Sequence, residues 1–341
     1  VKRVFTPGRL FLLLLVLLAS LHALSLALHE TLAAPGPAQT TIDVVIPDGG
    51  SASVADALQK AGVISNSFTF QLVEHYTRAE GPVHAGEYLI PARSSVHEVL
   101  DILRHGSPVQ HQVTIPEGLT GVQIAAIINA LPAATGHVST PPEGAVLPQT
   151  YDYIYGTPRT VILARTEVAM RQNLQTAWTN RARGLPVQTP ADVLALAAIV
   201  QEETPVNSEL PKVAAVYENR LKQGMKLQAD PTVIFAATGG RQSGGAEISK
   251  TDLANPSPYN TYAHVGLPPG PICAPGLAAI NAVLHPADID ALYFVATGTG
   301  GHVFSHDFQD HLRNIAAYHA ALKKPKTAEH TAELTRSSPH Q

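Results

Sequence analysis

The sequence contains a single cysteine, Cys273, so no disulfide can form within the chain and bridges give no indication of the redox compartment. It has no strong charge of either sign. The 27 acidic and 23 basic residues nearly balance, which argues against a nucleic-acid or polyanion surface. Gly-rich phosphate loops, the GxSxG nucleophile elbow and HExxH are all missing. His302, His306 and His311 lie close together but without recognised ligand spacing, so neither a metal nor another cofactor is expected. No internal repeat is evident. Proline and glycine, by contrast, are plentiful at 27 and 25 residues, which points to many fixed turns rather than a helical bundle.

Long apolar runs are confined to the N-terminus. Lys2, Arg3 and Arg9 precede Leu10–Leu28, broken only by Ser20, His22 and Ser25. That is close to the roughly 20 residues that span a bilayer and long for the core of a signal peptide. Residues 1–29 are therefore expected to be a cytoplasmic stub and single-pass transmembrane anchor, with a cleaved signal peptide as the alternative. The basic flank stays in the cytoplasm, so the remainder of the chain is exported on either reading.

Residues 30–41 read as a polar linker. From 42 to 110 the pattern is strand, helix, helix, strand and a further helix opening at Ser94 or Ser95, which describes a small α+β unit with an antiparallel sheet. A strand and a helix, with Thr120 as N-cap, begin the connecting segment 111–146. The larger part, 147–324, carries helical patterns at 160–178, 190–203 and 210–222 and is read as mixed α+β. The tail 325–341 has little apolar content and reads as disordered.

One helix end stands out. In TPADVLALAAIVQEETP, Thr189 caps, Pro190 occupies the first turn, and Pro205 stops the helix. At about 100° per residue, Glu203 falls within the apolar face made by Val193, Leu196, Ala197, Ile199 and Val200. Glu202 projects nearly opposite and Gln201 lies at the margin. Burial and the negative end of the helix dipole would both raise the Glu203 pKa, as a general acid near neutral pH requires. Fraying into solvent, or pairing with a base such as Lys212 or Arg220, is the competing account. Further on, a proline-rich loop displays Tyr259, Asn260, Thr261 and Tyr262, groups suited to a sugar groove, although such loops often only pack. Asp230, before Pro231, is a second carboxylate for which a turn-starting role is the simpler one.

Several ordered motifs together resemble the endolytic murein transglycosylase family (MltG, YceG-like). They are AIVQEET (198–204), NRL (219–221), KLQADPTVIF (226–235), YNTY (259–262), GLPPGPI (266–272) with Pro275-Gly276, and YFVATGTGGHVFS (293–305). The resemblance covers nearly the whole chain and is densest from about Leu147 to Lys324. It implies a single-pass inner-membrane protein with its catalytic domain in the periplasm and a LysM-like subdomain at 42–110. The implied activity is non-hydrolytic cleavage within nascent peptidoglycan strands, leaving 1,6-anhydromuramoyl ends and helping to terminate elongation. The implied partners are glycan strands, the membrane and peptidoglycan synthases. The family's catalytic glutamate, the second Glu of E-x-E-T, corresponds to Glu203. Asn219, Gln228, Asp230, Tyr259, Asn260 and Tyr262 are the positions expected to hold substrate. Gln201 departs from the pattern, standing where the family has its first Glu, so a two-carboxylate scheme through this helix is not available. That departure alone favours a second reading, an anchored wall-binding protein without catalysis. A hydrolase using Glu203 with Asp230 is the third.

Overall fold

The computed structural model describes residues 33–298 and 300–323, together with positions 8, 11, 12, 14–20 and 22. Most of the expected anchor and all of the expected tail, 325–341, lie outside the described residues. Among those that are described, no helix is long and apolar enough to cross a membrane. The chain divides into two compact units.

The first unit comprises Val1–Gln112 with Pro132–Thr135 and Asp152–Thr157. Strand β1 (Ile42–Ile46) pairs antiparallel with β2 (Gly86–Ile90), Val44 standing opposite Tyr88. Alternation along the strands sends Val44, Ile46, Tyr88 and Ile90 inward. Between the strands run α1 (Ser51–Lys60) and α2 (Ser67–Thr77), and α3 (Val96–His105) follows. Local chemistry sets the helix starts. The Asn66 side chain accepts from the Phe68 and Thr69 amides, while Ser95 and Glu98 form a reciprocal capping box. Leu58, Phe70, Val99, Leu100 and Leu103 fill the core without measurable exposure. The buried Arg104 guanidinium donates to Glu80 at 2.9 Å and to the Thr77 hydroxyl at 3.0 Å, fastening α3 to the end of α2.

The second unit comprises Val113–Leu131, Gly136–Tyr151 and Pro158–Gln341. Of strands β3 (Gln110–Thr114) and β4 (Thr150–Ile154), Val113–Thr114 and Thr150–Tyr151 fall in this unit, and α4 (Gly121–Asn129) opens on a capping box between Thr120 and Gln123. The segment read from sequence as a connection therefore contributes a helix to this unit. Then come α5 (Arg159–Thr179), α6 (Pro190–Glu203), α7 (Leu210–Lys222), α8 (Asp230–Thr238), the short α9 (Lys250–Leu253) and α10 (Leu277–Leu284). A hairpin of β5 (Tyr293–Ala296) and β6 (His302–Ser305) precedes α11 (Phe308–Lys323). The fold is thus mixed α+β.

Helix α6 is the axis of this unit. Val193 and every residue from Ala195 to Val200 are buried, and α10 and α7 pack against it. Pro205 ends it by forcing Thr204 into extended geometry, φ −148° and ψ 132°.

Glu218, on α7, sits in the same interior with no exposed surface and no hydrogen-bond partner for either carboxyl oxygen; Lys222 Nζ is 3.9 Å away. Burial, only partly offset by Lys222, raises its pKa to about 7. A carboxyl whose folded pKa lies above its unfolded value adds stability below about pH 4.5 and loses it as pH climbs through 7. We expect Glu218→Gln to melt near the wild type at pH 5 but to be more stable at pH 8 by on the order of 2 kcal/mol. Thermal unfolding at the two pH values measures this, and equal differences at both would contradict the buried-charge account.

Candidate active site

The sequence QEETP places three polar side chains at the exit of a buried helix, and each finds a different neighbour. Gln201 Oε1 accepts from the Gly276 amide at 3.0 Å, capping the start of α10. Glu202, which the helical wheel turns nearly opposite the apolar face, is half-buried. Its carboxyl lies beside buried Ser243 and Cys273, and a Cβ on either Gly118 or Gly244 would collide with it. The physical reason is that α6 is enclosed on nearly every side, so angular position alone does not separate Glu202 from Glu203.

Glu203 differs in what it faces. It lines a cleft of about 330 Å³ shared with Tyr217, Arg220, Gln228, Asp230, Tyr262, Phe294 and His302. The Tyr217 hydroxyl donates to Glu203 Oε1 at 2.6 Å. Burial raises the carboxyl's pKa most; the Tyr217 hydrogen bond and Arg220 pull it back, the charges of Asp230 and Glu202 push it up, and the result is about 7. The carboxyl is therefore protonated in a good fraction of molecules at neutral pH while remaining open to the cleft. That combination is what a general acid requires.

The opposite wall comes from two segments locked together. The Thr261 hydroxyl accepts from the Ala229 amide at 2.9 Å and meets the Thr232 hydroxyl at 2.9 Å, while Thr232 donates to the Ala229 carbonyl at 2.6 Å. Both threonines are buried. Lys226 Nζ reaches the Tyr262 carbonyl at 2.8 Å, and the Gln228 backbone N–H donates to the Thr261 carbonyl at 3.2 Å. Gln228 itself adopts a left-handed backbone, φ 52°, which costs a non-glycine residue about 1 kcal/mol and is sustained by this lattice of bonds. The outcome is a rigid display of Gln228, Asp230 and Tyr262, with the Tyr262 hydroxyl donating to Asp230 Oδ1 at 2.6 Å.

Of the six positions expected to hold substrate, Gln228, Asp230 and Tyr262 line the cleft with Glu203, and three others serve a different purpose. Asn219 does not line the cleft; its amide donates to the Ile289 and Ala291 carbonyls at 2.9 and 3.1 Å. Asn260 also lies away from the cleft: it is fully buried, and its amide donates to the Leu253 and Asn255 carbonyls, holding the YNTY loop in shape. Tyr259 does not line the cleft; its ring packs on Phe235, centroids 4.8 Å apart.

Four residues that the motif reading did not select also belong here. Tyr217 and Arg220 approach from α7, and Arg220 is fixed by bonds to the Leu292 and Leu227 carbonyls at 2.8 and 2.6 Å. Glu209 accepts from the Thr204 hydroxyl at 3.2 Å and from the His302 amide at 2.8 Å, and pairs with His302 Nδ1 at 2.7 Å. It thereby ties the residue after Glu203 to the hairpin strand that carries cleft-lining His302. The i, i+3 spacing of Tyr217 and Arg220 on an amphipathic helix was the one available signal. Nothing local marks Glu209, which meets His302 from 93 residues away. The three histidines of the tail-side segment part company: His302 pairs with Glu209 and His306 with Asp290. Among the described residues no group of three His, Cys, Asp or Glu could hold a metal ion.

Fold and site define an α+β protein with two carboxyls, Glu203 and Asp230, at a polar cleft. The YceG-like family matches residues 44–317, and the chain belongs to that family. It is 30% identical over 307 residues to the endolytic murein transglycosylase of Bacillus subtilis (strain 168), covering 80% of this chain and 83% of that protein. To the endolytic murein transglycosylase of Streptococcus pneumoniae serotype 2 (strain D39 / NCTC 7466) it is 28% identical over 324 residues, covering 81% of this chain and 58% of that one. A crystal structure of a YceG-like protein from Listeria monocytogenes aligns with a TM-score of 0.49 at 26% identity, covering 80% of this chain and 98% of that one.

Gln201 acts in this geometry as a cap, not as an acid. Gln201→Ala leaves the Gly276 amide without its acceptor and should lower unfolding free energy by about 1 kcal/mol. Denaturant melts test this, and an unchanged midpoint would remove Gln201 from the support of α10.

Proposed function

We infer that the protein is a lytic transglycosylase that cleaves the bond between N-acetylmuramic acid and N-acetylglucosamine within peptidoglycan strands. The observation that carries this is Glu203, with a pKa of about 7, facing a polar cleft from the end of a buried helix. Family membership and the endolytic murein transglycosylases among its relatives supply the substrate class.

The chemistry needs one carboxyl used twice. Protonated Glu203 gives its proton to the glycosidic oxygen as the C1–O bond breaks, its electron pair leaving with that oxygen. Glu203, now a carboxylate, takes the proton of the muramoyl C6 hydroxyl while O6 bonds to C1, closing the 1,6-anhydro ring. Water takes no part, unlike the two-carboxylate glycosidases, in which a second group serves as nucleophile or activates water. Asp230, held by Tyr262, supplies negative charge beside the cleft where positive charge grows at C1. Gln228 and Tyr262 supply polar contacts for sugar hydroxyls.

The reading extends to placement in the cell. The apolar run Leu10–Leu28 behind Lys2, Arg3 and Arg9 supports a single-pass anchor in the inner membrane with the catalytic unit in the periplasm. Such a protein acts near the site of strand synthesis, where peptidoglycan synthases are its natural neighbours and cutting a nascent strand limits its elongation. The strand–helix–helix–strand unit with its further helix supports a LysM-like, glycan-binding role for residues 42–110. The non-catalytic alternative rested on Gln201, and the Gly276 bond gives that residue a purpose without reference to catalysis.

Purified protein should release 1,6-anhydromuramoyl ends from glycan strands, detected by mass spectrometry of the fragments. Glu203→Gln should reduce that rate at least 100-fold or so. Reducing-end products would replace this mechanism with hydrolysis. Because the acid must be protonated to begin, the rate should fall as pH rises past about 7. Gln201→Glu, whose carboxylate can accept the same Gly276 bond, should keep the rate within about threefold.

A further inference from the structure

We propose that Tyr217 is a positioning residue for this reaction: its hydroxyl occupies one oxygen of the Glu203 carboxyl, so that both proton transfers pass through the other. The proposal rests on the function inferred above and adds to it a residue outside the motifs that define the site.

The geometry is specific. Tyr217 Oη donates to Glu203 Oε1 at 2.6 Å, a length typical of a strong O–H···O bond. The ring is only 2% exposed and stands edge-on to Phe294, centroids 5.9 Å apart and planes at 87°, so the hydroxyl has no freedom to swing away. A phenol has one hydrogen to give, and here it goes to Oε1. Oε2 is the oxygen left to exchange protons with substrate. In the first step the Oε2 proton moves to the glycosidic oxygen as the C1–O pair departs. In the second, the C6 hydroxyl proton moves to Oε2 as O6–C1 forms. Tyr217 keeps its own proton throughout, because burial and the neighbouring carboxyl hold its pKa well above the ordinary phenol value. Its hydrogen bond strengthens when Glu203 is ionised, so it stabilises the species between the two transfers.

Other charges face the same carboxyl. Arg220, one turn along α7, pulls in the same direction as Tyr217, while Asp230 of α8 and neighbouring Glu202 of α6 oppose it. Tyr262 is bound to Asp230, His302 of β6 is bound to Glu209, and His311 of α11 also lines the cleft. Tyr217 is the group among these whose hydrogen bond to Glu203 is seen directly.

Tyr217→Phe keeps the ring and its packing on Phe294 and removes only the donor. The expected result is a kcat about 10- to 100-fold lower with KM within about twofold, and an alkaline limb of the pH–rate profile moved upward by about one unit. A 3-fluorotyrosine at the same position, a stronger donor, should move that limb downward. Side-chain ¹³C NMR of Glu203, assigned against Glu203→Gln, should show the same two shifts without any need for turnover. A wild-type kcat and an unmoved limb in Tyr217→Phe would overturn the proposal, as would a change confined to KM. If Tyr217→Phe does not fold, the fluorotyrosine protein decides, and an unmoved Glu203 titration in it would overturn the proposal. Absence of anhydro ends from the wild-type protein would instead overturn the function itself, whatever the NMR titration shows.

Discussion

The structure of the larger unit depends on one constraint: a helix buried on nearly all sides must end, and it ends in three polar residues. The last carbonyls of α6 and the side chains of Gln201, Glu202 and Glu203 cannot be left in an apolar interior without partners. Each side chain therefore recruits a separate piece of the chain. Gln201 takes the start of α10, Glu202 takes the Ser243 and Cys273 segments across two glycines, and Glu203 takes Tyr217 of α7. A Cβ at 118 or 244 would displace the Glu202 carboxyl, and Gly118 also holds a left-handed backbone, φ 81°. The helix end thus organises its surroundings, and the cleft is the place where those surroundings do not close.

The same economy explains the KLQADPT and YNTY motifs. Their most regular residues, Thr232, Asn260 and Thr261, bond to backbone and to one another and never reach the cleft. They convert two irregular segments into a rigid wall that presents Gln228, Asp230 and Tyr262. Rigidity of this kind suits the proposed reaction, in which a sugar is held still while one carboxyl performs two proton transfers in sequence. The left-handed Gln228 is a local cost that the wall can sustain because its amide is bonded across to Thr261.

Much of this was legible in the sequence, and what was not has a physical cause. Helix α6 is bounded by Thr189, Pro190, Asp192 and Pro205, all local signals, so its ends could be read directly. The strand–helix–helix–strand order of the first unit followed from alternation and caps for the same reason. The wheel places Glu203 within the apolar face and Glu202 nearly opposite, yet both are half-buried, because periodicity records one apolar face and does not reveal a helix enclosed by loops. Asn219 and Asn260 looked like sugar ligands since an amide in a polar motif carries no mark of whether its partner will be a hydroxyl or a distant carbonyl. Tyr217 and Glu209 went unselected because their importance lies in contacts across 14 and 93 residues.

Burial alone does not make a carboxyl catalytic, and this chain contains the comparison that shows it. Glu143, Glu203 and Glu218 all have pKa values raised to about 7 by burial. Glu143 is held by the Gly121 amide at 2.9 and 3.0 Å, which fixes it as a cap for α4. Glu218 is enclosed without hydrogen-bond partners and opens on no cleft, so its shift is a burden on stability. Glu203 alone of the three lines the cleft and is gripped on one oxygen by a buried donor. A proton held near its neutral point is useful only if one face of the carboxyl can reach a substrate while the other is prevented from turning. It is that pairing of access with restraint, more than the pKa, that separates an acid–base group from a buried carboxyl.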